Sequence, residues 1–175
     1  MSIIIGIDPG QSGAVAIMQD SSCQFTEPFG LNQFAISLHD TPTLEVMTSS
    51  KKCRTEFNAR AMAALMPCVS TENRVHAYIE LVGVMPDQGS VSGFRFGEGY
   101  GIWQGILAAL GIPYTKVRPQ EWKKAMMQGR GKEKDASRLR ALELFPHLAD
   151  ELKRKKDHNR ADALLIAEWG RRQGR

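Results

Sequence analysis

The chain predicts an α/β domain, a mixed five-stranded sheet with helices on both faces. Three observations carry this. Two apolar strand-like runs come first, over residues 3–7 and 13–18, joined by a turn so short that they must pair as an antiparallel hairpin. Two later runs, over 76–82 and 112–117, are separated by a stretch of helical length, as parallel strands joined by a crossover require. The 175 residues, 42% hydrophobic and 24% charged, suffice for one substantial core and suit a single domain over 1–175.

The elements follow in order. Ile3, Ile4, Ile5 and Ile7 make a strand whose branched side chains fill both faces, as in a central strand. Pro9-Gly10 turns the chain back, and Ala14, Val15, Ala16, Ile17 and Met18 form the returning strand. A third strand is expected around 34–38. Residues 41–54, with Pro, Ser and Lys and no clear period, read as loop or an irregular edge. Phe57, Ala61, Leu65 and Met66 recur near helical spacing, so a helix is expected from 55 to about 68, stopped near Pro67. The strand at 76–82 comes next, and then a loop over 83–99 with five glycines. An apolar helix over 100–110 is closed by Gly111, and the strand at 112–117 follows. Pro119 opens another helix. Residues 128–131 form a flexible basic joint, 135–145 a helix ended by Pro146, and 157–169 a final amphipathic helix.

Acids stand at telling places. Asp8 sits where the first strand ends; a carboxylate on a rigid strand end can grip a divalent metal, or it can hydrogen-bond its own turn. Glu80 lies within an apolar strand, where a charge is costly unless paired or metal-bound, although an edge strand would let it face water. Asp162 falls among Ala and Leu of the last helix, on the side that must face the core. Asp157, five residues earlier, is off that face if the helix includes it; it can point inward as a ligand only from ahead of the first turn, where it can equally serve as the N-cap. His158 and Asn159, four and three residues before Asp162, share its helical face and are rivals for the same role. Two hard cations about 3.5–4 Å apart need three or four carboxylates, and four are present in suitable segments.

Charge and composition narrow the partners. Residues 1–115 hold 6 Lys and Arg against 10 Asp and Glu, a balance of −4; residues 116–175 hold 17 against 9, a balance of +8. A basic C-terminal third is either a solvated helical surface or the footprint of a polyanion. No apolar run approaches the roughly 20 residues of a membrane span, so no membrane partner is expected. No secretion signal is read at the N-terminus. Cys23, Cys53 and Cys68 are odd in number and lack zinc spacing, which suits a reducing cytoplasm.

The element order looks like the ribonuclease H-like fold. GIDPGQSG at 6–13, the strand acid Glu80 and the acid pair Asp157 and Asp162 resemble the RuvC-type Holliday-junction resolvases, in particular their plastid and phage-type branch. GEGYGIWQGILAALGIPY, KDASRLRALELFP and LKRKKDHNRADALLIAEWG resemble that branch over much of their length. The resemblance runs from residue 3 to 170 and is weakest between 20 and 75. It implies a homodimeric endonuclease that cuts four-way DNA junctions symmetrically, with two Mg²⁺ or Mn²⁺ ions per active site. On its terms Asp8, Glu80, Asp157 and Asp162 are the metal ligands, and Lys134 is the lysine that approaches the scissile phosphate. One departure stands out. The bacterial branch carries an acid or His three residues before its last Asp, and here that place is Asn159.

Lys134 opens the helix after the basic joint, with Lys132 as its rival, and a cation there can stabilise charge building on phosphate oxygens. Phe94, Arg95 and Phe96 lie in the glycine-rich loop, where they either stack on unpaired bases or fold back as core. Gly101 and Gly105 would let another helix approach closely. Two other function classes are weighed. An actin- or hexokinase-like phosphotransferase shares the strand, Asp and Gly-rich turn but normally needs two such domains, for which the chain is too short. A non-catalytic junction-binding module should have lost some of Asp8, Glu80 and Asp162, and all three are present.

Overall fold

The computed structural model describes residues 1–20, 34–49, 51–71, 73–81, 83, 89–127, 129 and 135–174. β1 (Ser2–Asp8) is central because its isoleucines leave neither face for water. Ile3, Ile5 and Ile7 face one core with Phe57, Met62, Trp103 and Leu107. Ile4, on the other face, joins Tyr78, Trp122, Met126 and the apolar residues of the last helix.

β2 (Ala14–Asp20) pairs antiparallel with β1, and β3 (Phe34–Asp40) antiparallel with β2. On the other side of β1, β6 (Arg74–Glu80) and β7 (Tyr114–Val117) add in parallel, giving the order β3-β2-β1-β6-β7. The hairpin turn depends on glycine. A Cβ on Gly13 would meet the Asp8 carbonyl oxygen at 2.2 Å, while the Gly13 amide donates to Gly10 O at 2.9 Å.

Helices cover both faces. α1 (Ala59–Ala64) and α2 (Ser90–Ala109) lie on the Ile3/Ile5/Ile7 side. α3 (Pro119–Met127), α4 (Ala136–Leu144) and α5 (His158–Arg172) lie on the other, with α5 lodged between the sheet and α3 and α4. The fold is thus the expected mixed α/β arrangement, ribonuclease H-like in strand order and sense.

Several elements differ from the sequence reading. Residues 41–54 are not a loop. β4 (Thr43–Met47) and β5 (Cys53–Phe57) form a separate antiparallel hairpin. Its strands are exposed at most positions, so no alternation of apolar residues marked them. β5 also takes the first residues of the helix expected from 55. The helix begins instead after Asn58, whose side chain caps it by accepting from the Ala61 amide at 3.0 Å. The loop expected to Gly99 is helical from Ser90. Glycine discourages a helix, but here Gly99 serves packing. A Cβ on it would meet the Phe57 ring at 2.4 Å and Pro9 O at 2.6 Å, so its bareness lets α2 rest on the turn after β1. Lys132, Lys134 and most of the basic joint lie outside the described residues.

Candidate metal centre

The parallel register pairs Ile7 with Ile79, which brings Asp8 and Glu80 side by side at the C-terminal ends of β1 and β6. Side chains alternate along a strand, so Asp8 lies on the face of Ile4 and Glu80 on that of Tyr78, both towards α5. α5 comes down directly on β1 because Gly6 has no side chain. A Cβ there would meet Ala163 O at 2.1 Å and Ala167 N at 2.5 Å. That contact sets Asp162, one residue before Ala163, over the strand end that carries Asp8. The three acids interact electrostatically. Asp8 feels both Glu80 and Asp162, and Glu80 feels Asp162.

Burial dominates their chemistry. It pushes the Asp8 carboxyl up to about 7, with the charges of Glu80 and Asp162 adding to the rise. Burial likewise raises Glu80 and Asp162 above the ordinary carboxylate range. Opposing this are a few donors. The Gly10 amide reaches Asp8 Oδ1 at 3.3 Å, Trp122 Nε1 donates to Glu80 Oε1 at 2.8 Å, and Ser137 hydrogen-bonds Asp162. Asp162 Oδ1 is buried with no hydrogen-bond partner among the described residues.

Lys123 is a functional candidate that the sequence reading missed. Its positive charge favours the ionised form of all three acids, and its Nζ lies 5.0 Å from the centre of the Trp122 ring. Nothing in the sequence separates it from neighbouring Lys124. The signal available was Trp122 beside it, an aromatic whose indole nitrogen needs a buried acceptor.

Of the four acids expected as ligands, the structure brings together three. Asp157, 3% exposed, is turned away to Arg154. Its Oδ2 accepts from the Arg154 amide at 2.8 Å and its Oδ1 from Nη2 at 2.8 Å. Burial would raise its carboxyl, but the Arg154 side chain and backbone outweigh that and hold it low. The rivals on α5 are engaged too. His158 Nδ1 lies 3.0 Å from Lys155 O, and Asn159 Nδ2 donates to Ser12 O.

Three clustered carboxylates, one oxygen of which lacks a partner, are the hard ligands that Mg²⁺ or Mn²⁺ takes. Among the described residues no three His, Cys, Asp or Glu side chains stand, as placed, so that they could hold a metal ion. The chemistry fits, and the acids are near enough to perturb one another.

Phe94 and Phe96, expected in a loop, ride on α2 at 74% and 40% exposure, so neither folds back into the core. Phe96 and Arg95 line a cleft of about 680 Å³ with Gly10, Ser12, Thr43 and Thr55, beside the turn that follows Asp8. No helix among the described residues is long and apolar enough to cross a membrane.

No family model matches the chain. Over 111 residues it is 34% identical to the chloroplastic Holliday junction resolvase MOC1 of Chlamydomonas reinhardtii, a match covering 62% of this chain and 13% of that much longer protein. Among solved structures it is similar to Thermus thermophilus RuvC (TM-score 0.49, 15% identity, 98% of this chain and 96% of that one). It is similar to the same degree to T. thermophilus RuvC in complex with a Holliday junction substrate (TM-score 0.49, 14% identity, again 98% and 96%). By sequence, then, this chain is similar over 111 residues to a plastid Holliday junction resolvase, of whose length that match spans 13%.

Proposed function

We propose that the chain is a structure-selective DNA endonuclease that cuts four-way junctions by metal-assisted phosphodiester hydrolysis. The observation that carries this reading is the group of partly buried acids Asp8, Glu80 and Asp162, all of which feel the positive charge of Lys123. Protein alone does not compensate so much buried negative charge, and a cation together with a phosphate would. In this reading Asp8, Glu80 and Asp162 would hold two Mg²⁺ or Mn²⁺ ions, which would supply Lewis acidity and make hydroxide available from bound water near neutral pH.

The chain's own groups do the rest. Trp122 holds Glu80 by its indole nitrogen, so that carboxylate keeps one orientation. Asp8 is held at its strand end by the Gly10 amide. Lys123, with Lys134 as the proposed second cation, stabilises charge on the scissile phosphate oxygens. Arg95, Phe94 and Phe96 on α2 stack against unpaired bases at the junction centre. Asp157 is left outside the metal set as the partner of Arg154. A homodimer places two such sites for paired cuts on branched double-stranded DNA. The exposed thiols of Cys53 and Cys68 suit a reducing compartment that holds DNA, the cytoplasm in the first instance.

The test is a labelled four-way junction incubated with the protein and Mg²⁺, Mn²⁺ or EDTA. Paired nicks near the crossover with either metal, and none with EDTA or on linear duplex, are the expected result. Tight binding without cleavage under every condition would support a non-catalytic junction-binding module instead.

A further inference from the structure

The first turn of α5 is tied both to the turn that follows β1 and to the end of β3. Asn159 Nδ2 donates to Ser12 O, in the turn after Asp8. Next to it, Arg160 grips Asp40 at the end of β3, Nε to Oδ1 at 2.6 Å and Nη2 to Oδ2 at 2.8 Å. The Thr41 amide then closes the circuit by donating to Gly13 O at 2.9 Å. Asn159 and Asp162 are three residues apart on one helical face. The same face therefore carries both the grip on the Asp8 turn and the acid that meets Asp8.

We propose that Asn159 is a positioning residue whose side-chain amide sets the spacing of Asp8 and Asp162, and that it is not itself a metal ligand. An amide suits this place because it can donate to a peptide carbonyl. A carboxylate has no proton to offer Ser12 O and would repel it. Arg160 and Asp40 make the second strut, so the turn is held at two points and the two acids keep their separation when either loses or gains charge. The inference rests on reading Asp8, Glu80 and Asp162 as the metal set. It reverses the expectation drawn from spacing alone, which makes Asn159 a rival ligand.

The experiment is calorimetric titration of the metal-free protein with Mn²⁺, using wild type, Asn159→Ala, Asn159→Asp and Asp162→Asn. Thermal melting of each metal-free protein is recorded alongside. Loss of an outer-shell partner costs about tenfold or more in metal affinity. Asn159→Ala is therefore expected to bind Mn²⁺ about tenfold more weakly. Asn159→Asp should lose at least as much despite its added carboxylate, and Asp162→Asn should lose binding altogether. Melting that drops with unchanged Mn²⁺ affinity would reduce Asn159 to a structural contact and overturn the proposal. Tighter Mn²⁺ binding by Asn159→Asp would overturn it in the other direction, making residue 159 a ligand position. Wild-type binding by Asp162→Asn would bring down the metal reading itself, a failure distinct from either.

Discussion

Asp8 should make the metal-free protein less stable as pH rises, and Asp8→Asn should remove most of that loss. The carboxyl is pushed from an ordinary 3.8 up to about 7 by burial and by Glu80 and Asp162. A group raised in the folded state keeps its proton there longer than in the unfolded chain. The unfolded state therefore binds fewer protons between these two values, and stability falls as pH climbs through the window. At 1.36 kcal/mol per pKa unit the full loss is about 4 kcal/mol, of which about 2–3 kcal/mol falls between pH 5 and 8. Asp40, Asp135, Asp157 and Glu168, all held low, stay ionised across that range and do not mask the effect. For a chain of this size it corresponds to a melting decrease of about 5–10 °C. The assay is urea unfolding in EDTA at pH 5 and pH 8. Asp8→Asn should show a much smaller fall, keeping the part owed to Glu80 and Asp162. Mg²⁺ should restore wild-type stability at pH 8 and leave the variant unmoved, because a cation replaces the proton that burial favours. Junction cleavage should vanish in the variant while junction binding persists. Parallel falls for both proteins from pH 5 to 8 would refute the burial and coupling of these acids.

Three further outcomes are expected. Gly6→Ala drives a methyl into the backbone of α5, which cannot yield as a side chain would; urea unfolding should show a loss of about 3 kcal/mol, together with loss of cleavage as Asp162 lifts away. Lys123→Ala should slow single-turnover cleavage about a hundredfold, with Lys124→Ala nearly silent; equal effects would mean that Lys123 has no special place. Asp157→Asn should cost about 1–3 kcal/mol in an unfolding titration by breaking a buried charged contact with Arg154, yet leave cleavage by the folded protein nearly intact. A folded but inactive Asp157→Asn protein would return Asp157 to the metal set.

Much of this molecule was legible in the order of its residues. The isoleucine run and the Pro-Gly turn specify a buried central strand with a hairpin, since no other element accommodates branched side chains on both faces. Asp8 stood out because it ends the first strand, and Glu80 and Asp162 because a carboxylate in an apolar segment is expensive, which is visible without coordinates. The exposed β4–β5 hairpin was not, because strands wet on most positions carry no periodic signal. The helical start at Ser90 was not, because its glycines argue for a loop until Gly99 is seen against Phe57 and Pro9. Which acids converge was decided in three dimensions. Helical spacing favoured His158 and Asn159 over Asp157, the resemblance favoured Asp157, and only the structure shows the Asp157 carboxylate paired with Arg154. Lys123 and Asn159 likewise gain meaning from partners distant in sequence, across contacts that the fold makes and that local sequence cannot encode.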